Sequence, residues 1–180
     1  YKNKKINSEK LIMKKKSEIS GEIVNRVINQ LSWSLMVKVL IKKLDPAVEI
    51  PIYKTTGASG MDLMAFIREP IKLAPKSSCL VPTGLSVAFS EKYEIQIRPR
   101  SGLAVKNNIS VLNTPGTIDS DYRGEIKIIL FNHGSSEFII NNKDRIAQII
   151  LLPVHKMELE EVENLPDTLR GKGGFGSTGK

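Results

Sequence analysis

Short apolar runs alternate with turn-forming residues through most of the chain. Val37, Val39 and Ile41 alternate with lysines, and residues 94–98 (EIQIR) alternate polar with apolar. Residues 125–131 (EIKIILF), 137–140 (EFII) and 145–152 (RIAQIILL) are short and rich in β-branched residues. Turn signals separate them: Pro70, Pro75 with Lys76 and Ser77, Pro82 to Gly84, Asn107 and Asn108, His133 and Gly134, Asn141 and Asn142. Successive strand side chains point to opposite faces, so this pattern predicts many short strands joined by tight turns. No stretch after residue 36 that is free of Pro and Gly gives three turns of clean helical spacing. The expected fold is all-β, a jelly-roll-like barrel or sandwich.

The first 35 residues break that pattern. Ile23, Val24, Val27, Ile28 and Leu31 recur at helical spacing, which fits a short amphipathic helix in an otherwise disordered leader. A secretory signal needs an unbroken apolar stretch, and Lys38 interrupts residues 35–41. A transit peptide should be rich in Arg and poor in acids, but residues 1–35 hold one Arg and three acids. Met36 opens a natural first strand. Residues 1–35 are therefore expected to be a dispensable basic extension, 36–165 a β domain and 166–180 a glycine-rich tail. A cytoplasmic location is the matching expectation.

Composition narrows the classes. The chain has 180 residues, 41% hydrophobic, with a single cysteine. That is enough chain for one domain with a sizeable core. One cysteine excludes an internal disulfide and a multi-thiolate zinc site. No apolar run approaches the ~20 residues of a membrane span, so no membrane partner is expected. The net charge of +8 first suggests a polyanion such as nucleic acid. However, eight of the 27 Lys and Arg and only three of the 19 Asp and Glu lie in residues 1–35, so most of the excess belongs to the leader. A nucleic-acid partner is not expected for the body.

Five segments concentrate Gly with polar functional groups. They are residues 57–65 (GASGMDLMA), 98–104 (RPRSGLA), 113–125 (NTPGTIDSDYRGE), 145–148 (RIAQ) and 170–179 (RGKGGFGSTG). Gly lets backbone N–H groups come close to a ligand. Arg offers a planar fork for phosphate oxygens. Lys outnumbers Arg 20 to 7, yet Arg100, Arg123, Arg145 and Arg170 all fall in these segments. Such selective use of Arg suggests a polyphosphate ligand, with Asp62 and Asp119 available for a metal ion and a water nucleophile. Residues 171–176 fit G-x-G-x-x-G, and residues 174–180 fit the start of a Walker A loop. Both motifs need a strand before and a helix after, which this sequence does not offer. A linker-like end would explain the tail's glycines. A flap that orders over a ligand also explains Arg170 and Phe175.

Taken in this order and spacing, the five segments resemble the motifs of the homotrimeric dUTP pyrophosphatase (dUTPase) family. The resemblance covers about residues 36–179. It implies hydrolysis of dUTP to dUMP and pyrophosphate by water attack on the α-phosphorus, with Mg²⁺ on the triphosphate. That activity would limit uracil incorporation into DNA and supply dUMP for dTMP synthesis. Asp119 matches the carboxylate that activates the water. Asp121 is the rival from the residues alone, because strand periodicity would put both on one face. The family pattern favours Asp119 and leaves Asp121 a structural role, such as pairing with an Arg.

The other roles come by the same resemblance. Asn113, Gly116, Thr117 and Ile118 match the hairpin that hydrogen-bonds uracil, and Tyr122 matches the ring that packs on deoxyribose. Arg100, Ser101, Gly102 and Gln148 match phosphate contacts, while Arg145 is expected to brace the structure. Asp62 matches a carboxylate that holds Mg²⁺ through water. In the tail, Arg170 matches a γ-phosphate clamp and Phe175 a ring that stacks on uracil. Gly174, Gly176, Ser177 and Thr178 match phosphate donors. The resemblance also implies a homotrimer whose active sites are shared between subunits.

Two alternatives are carried forward. A dCTP deaminase of the same fold needs a glutamate base, for which Glu125 is the candidate. A non-catalytic nucleotide-binding β-barrel would have no use for Asp119 beside a phosphate clamp. Among the remaining residues, His133 and His155 lack ligand-spaced partners. Cys79 reads as a small buried hydrophobe, and Glu158, Glu160, Glu161 and Glu163 as a solvated strand edge.

Overall fold

The computed structural model describes residues 36–174 together with Gly21 and Ile23. Both of those leader residues are helical, and the rest of the leader lies outside the described residues. Eleven strands and one short helix make up the described body. In chain order they are β1 (Leu40–Lys43), β2 (Met61–Met64), β3 (Ile71–Leu73), β4 (Ser78–Pro82), β5 (Leu85–Ala88) and β6 (Tyr93–Arg98). Then come α1 (Ser101–Asn107), β7 (Ile109–Val111), β8 (Gly116–Ile118), β9 (Lys127–Asn132), β10 (Phe138–Ile140) and β11 (Arg145–Pro153). The all-β expectation holds.

The strands form a four-stranded sheet in the order β2-β11-β6-β8 and a three-stranded sheet in the order β4-β9-β7. Two antiparallel ladders, β1-β5 and β10-β3, complete the described sheets. Period-two patterning explains the packing. Ile95 and Ile97 on β6, and Ile128 and Leu130 on β9, are at most 3% exposed. Leu63, Val81, Ile146 and Ala147 are equally dry, and each fully buried aliphatic of this size contributes roughly 1.5–3 kcal/mol. Asn132 continues the inward row of β9 and is fully buried. Its amide donates to Leu73 O and Ser136 O and accepts from Gly134 N. A polar residue stands in the core there because it satisfies three backbone groups, two in the following turn and one at the end of β3.

Two details differ from the sequence expectation. The first strand begins at Leu40, not Met36, because its partner β5 ends at Ala88, opposite Leu40. Helix α1 was not expected. It has only seven residues, carries Gly102 in its first turn and buries none of its residues completely. Leu103 is the side chain that packs against the core, so the periodic signal is too short to read. Asn108 ends the helix at φ 55, the left-handed conformation common at such ends.

One turn ties the core to the third segment. Thr83 Oγ1 donates to Ile126 O at 2.7 Å, and Gly84 N donates to Glu125 Oε1 at 2.8 Å. Gly84 sits at φ +68, and a Cβ there would lie 2.4 Å from Val48 Cγ2. Both backbone and space require glycine. Gly84→Ala should therefore lower stability by roughly 2–4 kcal/mol, read as a drop in urea midpoint at unchanged m-value.

Candidate active site

Strand β11 gathers the phosphate-type residues. Gln148 is register partner to Asp62 on β2 and to Arg98 on β6. The side chain of Arg100, from the residue preceding α1, reaches back onto this row. Its Nε donates to Asp62 Oδ1 at 2.8 Å, and its Nη1 donates to Arg145 O at 3.0 Å. Arg145 Nη1 donates to Asp62 Oδ2 at 3.3 Å. Gln148 Nε2 donates to Pro99 O at 2.8 Å. Asp62, Arg100 and Arg145 thus close a triangle that fixes the start of α1 against β2 and β11. Ser101 and Gly102 open the helix at its exposed end, and N–H groups in a first turn have no carbonyl partner within the helix. A cavity of about 330 Å³ opens beside the triangle, lined in part by Arg100, Arg145, Asp144 and Phe138.

The second cluster lies at the other edge of the same sheet. Asn113 is exposed in the turn between β7 and β8. Gly116, Thr117 and Ile118 form β8, which pairs with β6 through Gly116 to Ile97 and Ile118 to Ile95. Asp119 follows directly and is exposed, and its carbonyl accepts from Tyr122 N at 3.2 Å. Ser120 and Asp121 form a turn, so strand parity does not relate the two aspartates. Asp121 makes no ion pair among the described residues. The expected Arg partner is instead Arg123 bonding backbone: its Nη1 donates to Ser120 O and Tyr122 O at 2.7 and 2.9 Å. Tyr122 Oη donates to Glu125 O at 3.1 Å.

Asp119 and Asp62 are not neighbours within one protomer. Three strand spacings separate β2 from β8, or ~14 Å across the sheet. Asp119 also lies about four residues along the sheet from the Asp62–Gln148–Arg98 row, or ~13 Å.

The tail forms a third element. Arg170 Nε donates to Gly173 O at 2.8 Å, and Gly171 N donates to Thr168 Oγ1 at 3.1 Å. Gly174 is half-buried. Phe175, Gly176, Ser177 and Thr178 lie outside the described residues.

The remaining residues resolve simply. Among the described residues no three His, Cys, Asp or Glu side chains group as a metal site. His133 meets Ser110 Oγ at 2.7 Å and packs on the Phe131 ring. Cys79 packs against the core, and burial raises its thiol pKa. The glutamates at 158, 160, 161 and 163 are exposed, but they follow β11 and belong to no strand. No helix among the described residues is long and apolar enough to cross a membrane. An apolar cavity of about 250 Å³ between β1, β2 and β11 is lined by Val39, Ile41, Tyr53, Met61 and Ile150, away from the polar groups of the five segments. Sequence reasoning missed the Pro99 carbonyl and the Arg100–Asp62 pair. Their only sequence signal was co-occurrence of Asp and Arg in segments 38 residues apart.

Comparison with known proteins identifies the family. The family model described as dUTPase matches residues 47–179. A deoxyuridine 5'-triphosphate nucleotidohydrolase of Chlamydia pneumoniae is 56% identical over 138 residues, covering 76% of this chain and 95% of the relative. One from Wolinella succinogenes is 54% identical over 144 residues, covering 80% of this chain and 95% of the relative. Among solved structures, a mutant dUTPase of Staphylococcus bacteriophage 80alpha with dUpNHpp superposes with a TM-score of 0.72 at 23% identity. It covers 79% of this chain and 99% of that one, and it shows the shared fold. A mutant dUTPase from phage phi11 of S. aureus, whose structure concerns a structural Mg(II) ion, superposes with a TM-score of 0.65 at 20% identity. It covers 72% of this chain and 99% of that one. With its family model matched across the body and its relatives more than half identical, the chain belongs to the dUTPase family.

Proposed function

We propose that this chain hydrolyses dUTP to dUMP and pyrophosphate at sites completed by neighbouring copies of itself in a homotrimer. The dUTP hydrolase activity follows from the family and from relatives named for that reaction. The observation that carries the shared site is the sheet register. Asp119 follows β8 at one edge and Asp62 stands on β2 at the other, with Gln148 on the strand β11 between them. The separation of Asp119 from Asp62 favours a site in which a second copy's hairpin meets the first copy's phosphate cluster. A closed symmetric ring of identical subunits offers that contact once per subunit.

In this reading Asp119 accepts the proton of the attacking water. The hairpin around Asn113 and β8 presents backbone groups to uracil, and a site built on such groups rejects a base that leaves them unpaired. Tyr122 packs on the deoxyribose. Arg100, Ser101, Gly102 and Gln148 orient the phosphates. Arg170, Gly174, Gly176, Ser177 and Thr178 close over them, and Phe175 stacks on the base, which excludes bulk water.

The residues fit a Mg²⁺ ion carried on the triphosphate. Asp62 is the one carboxylate of the triangle, and a carboxylate can accept a further donor beyond the three bonds from its two guanidinium partners. Mg²⁺ is commonly held by one or two carboxylates, several waters and substrate phosphates. Asp62 would hold it through water, and the ion would supply positive charge to the phosphate oxygens. A cytoplasmic location accords with this nucleotide chemistry. The deaminase alternative loses its candidate base, because Glu125 accepts from Gly84 N and lies 3.6 Å from the Lys127 ammonium.

Pyrophosphate release should be fast with dUTP and far slower with dCTP, dTTP and UTP; ammonia release from dCTP would overturn the assignment. Asp119→Asn should lower kcat by about 10²–10⁴ without loss of folding. Mixing Asp119→Asn subunits with Asp62→Asn subunits after unfolding and refolding together should regain activity, up to about a quarter of sites in random trimers. A mixture as inactive as its two components would argue against sharing. Deleting residues 170–180 should abolish most turnover at an unchanged melting temperature.

A further inference from the structure

Tyr122 folds back along its own loop. An added Cβ on Gly124 would stand 2.3 Å from Tyr122 Oη, 2.5 Å from its Cζ and 3.0 Å from its Cε2. The three nearest atoms all belong to this one ring. The tyrosine therefore occupies the volume that any side chain at position 124 would need. The Oη hydrogen bond to Glu125 O spans the same glycine.

The backbone on either side of the ring is fixed. Tyr122 N is bonded to Asp119 O, and Arg123 Nη1 holds Ser120 O and Tyr122 O. Glu125 Oε1 is held by Gly84 N. What can still move is the ring, which is half-exposed: Tyr122 has 45% of its surface open. The nearest atoms a side chain at 124 would meet are the far end of that ring. The relief available to it is rotation of Tyr122 about its own side-chain bonds.

From this geometry we propose that Gly124 is a specificity-determining positioning residue. Its missing side chain is the seat of the Tyr122 ring, and through that ring it sets the preference for 2′-deoxy over 2′-hydroxy pyrimidine triphosphates. The inference rests on the reading that Tyr122 packs against the deoxyribose. Gly124 touches no substrate and acts only through the ring. Displacing the ring opens space beside the 2′ carbon, so discrimination falls while the water-activating Asp119 stays in place.

The test is a double-mutant cycle on the full chain, with kcat/KM measured for dUTP and UTP. Gly124→Ala should lower the dUTP/UTP ratio by about tenfold, the scale at which a steric pocket discriminates small groups. In a Tyr122→Ala background the same substitution should change the ratio less than about twofold, because coupled residues lose their mutual effect when one is removed. Equal loss on both nucleotides, or the same ratio change in both backgrounds, overturns the role of Gly124. If Gly124→Ala fails to fold, the Gly124→Ala/Tyr122→Ala double variant should restore the melting temperature. A double variant that stays unfolded also overturns it. A wild-type chain that hydrolyses neither nucleotide removes the function itself. An active wild type with an unmoved ratio removes only this inference.

Discussion

The ladder of β11 is the constraint on which the rest of the structure depends. This nine-residue strand pairs with β2 on one side and β6 on the other. Its register sets Gln148 beside Asp62 and Arg98, and so decides where a phosphate chain could lie. The same ladder carries β6, whose far side pairs with β8 and bears the hairpin outward to the opposite edge. A one-residue slip would turn every side chain of β11 to the other face. Ile146, Ala147 and Ile149 are buried, and that burial holds the register. Core packing and site geometry are therefore one constraint. The separation of Asp119 from Asp62 follows from it.

The loop of residues 119–125 is held at both ends and largely by backbone. Thr83 and Gly84 grip its C-terminal end through Ile126 O and the Glu125 carboxylate. Arg123 closes its middle onto two carbonyls. Backbone partners cannot rotate away, so the loop can present Tyr122 and Asp119 in a fixed frame while both stay exposed. That exposure fits groups that complete their surroundings with a ligand and a neighbouring subunit. It also accounts for Arg123, which serves the frame and leaves phosphate contact to other arginines.

Much of this was legible in the sequence. Alternation revealed β6, β9 and β11 because each buries one face, and a half-buried strand must alternate. Gly and Pro marked the turns because those residues take up conformations others disfavour. Helix α1 was not legible, since seven residues with one core contact give no period to detect. The triangle of Asp62, Arg100 and Arg145 was not legible either. It joins residues 38 and 83 positions apart, and only the pairing of β2 with β11 brings them together. Asp119 and Asp121 stayed undecided because parity applies to strands, and these residues lie beyond one. The five segments point to the family without these contacts, because backbone approach and phosphate recognition need particular residues at particular spacings.

The charge at the triangle bears on which ligand the cluster receives. Two guanidinium groups face one carboxylate, and that carboxylate is only 20% exposed. A bare dication approaching Asp62 would meet two positive groups first. An anionic phosphate chain would meet those groups favourably and would leave the remaining lone pairs of Asp62 to water. Arg145, half-exposed at 52%, spends one nitrogen on Asp62 and keeps donors toward solvent. The cluster is thus suited to an anion that brings its own counter-charge. The body needs no broad basic surface for that purpose. Most of the chain's excess positive charge lies in residues 1–35, and under the proposed function a few arginines at fixed register serve one triphosphate.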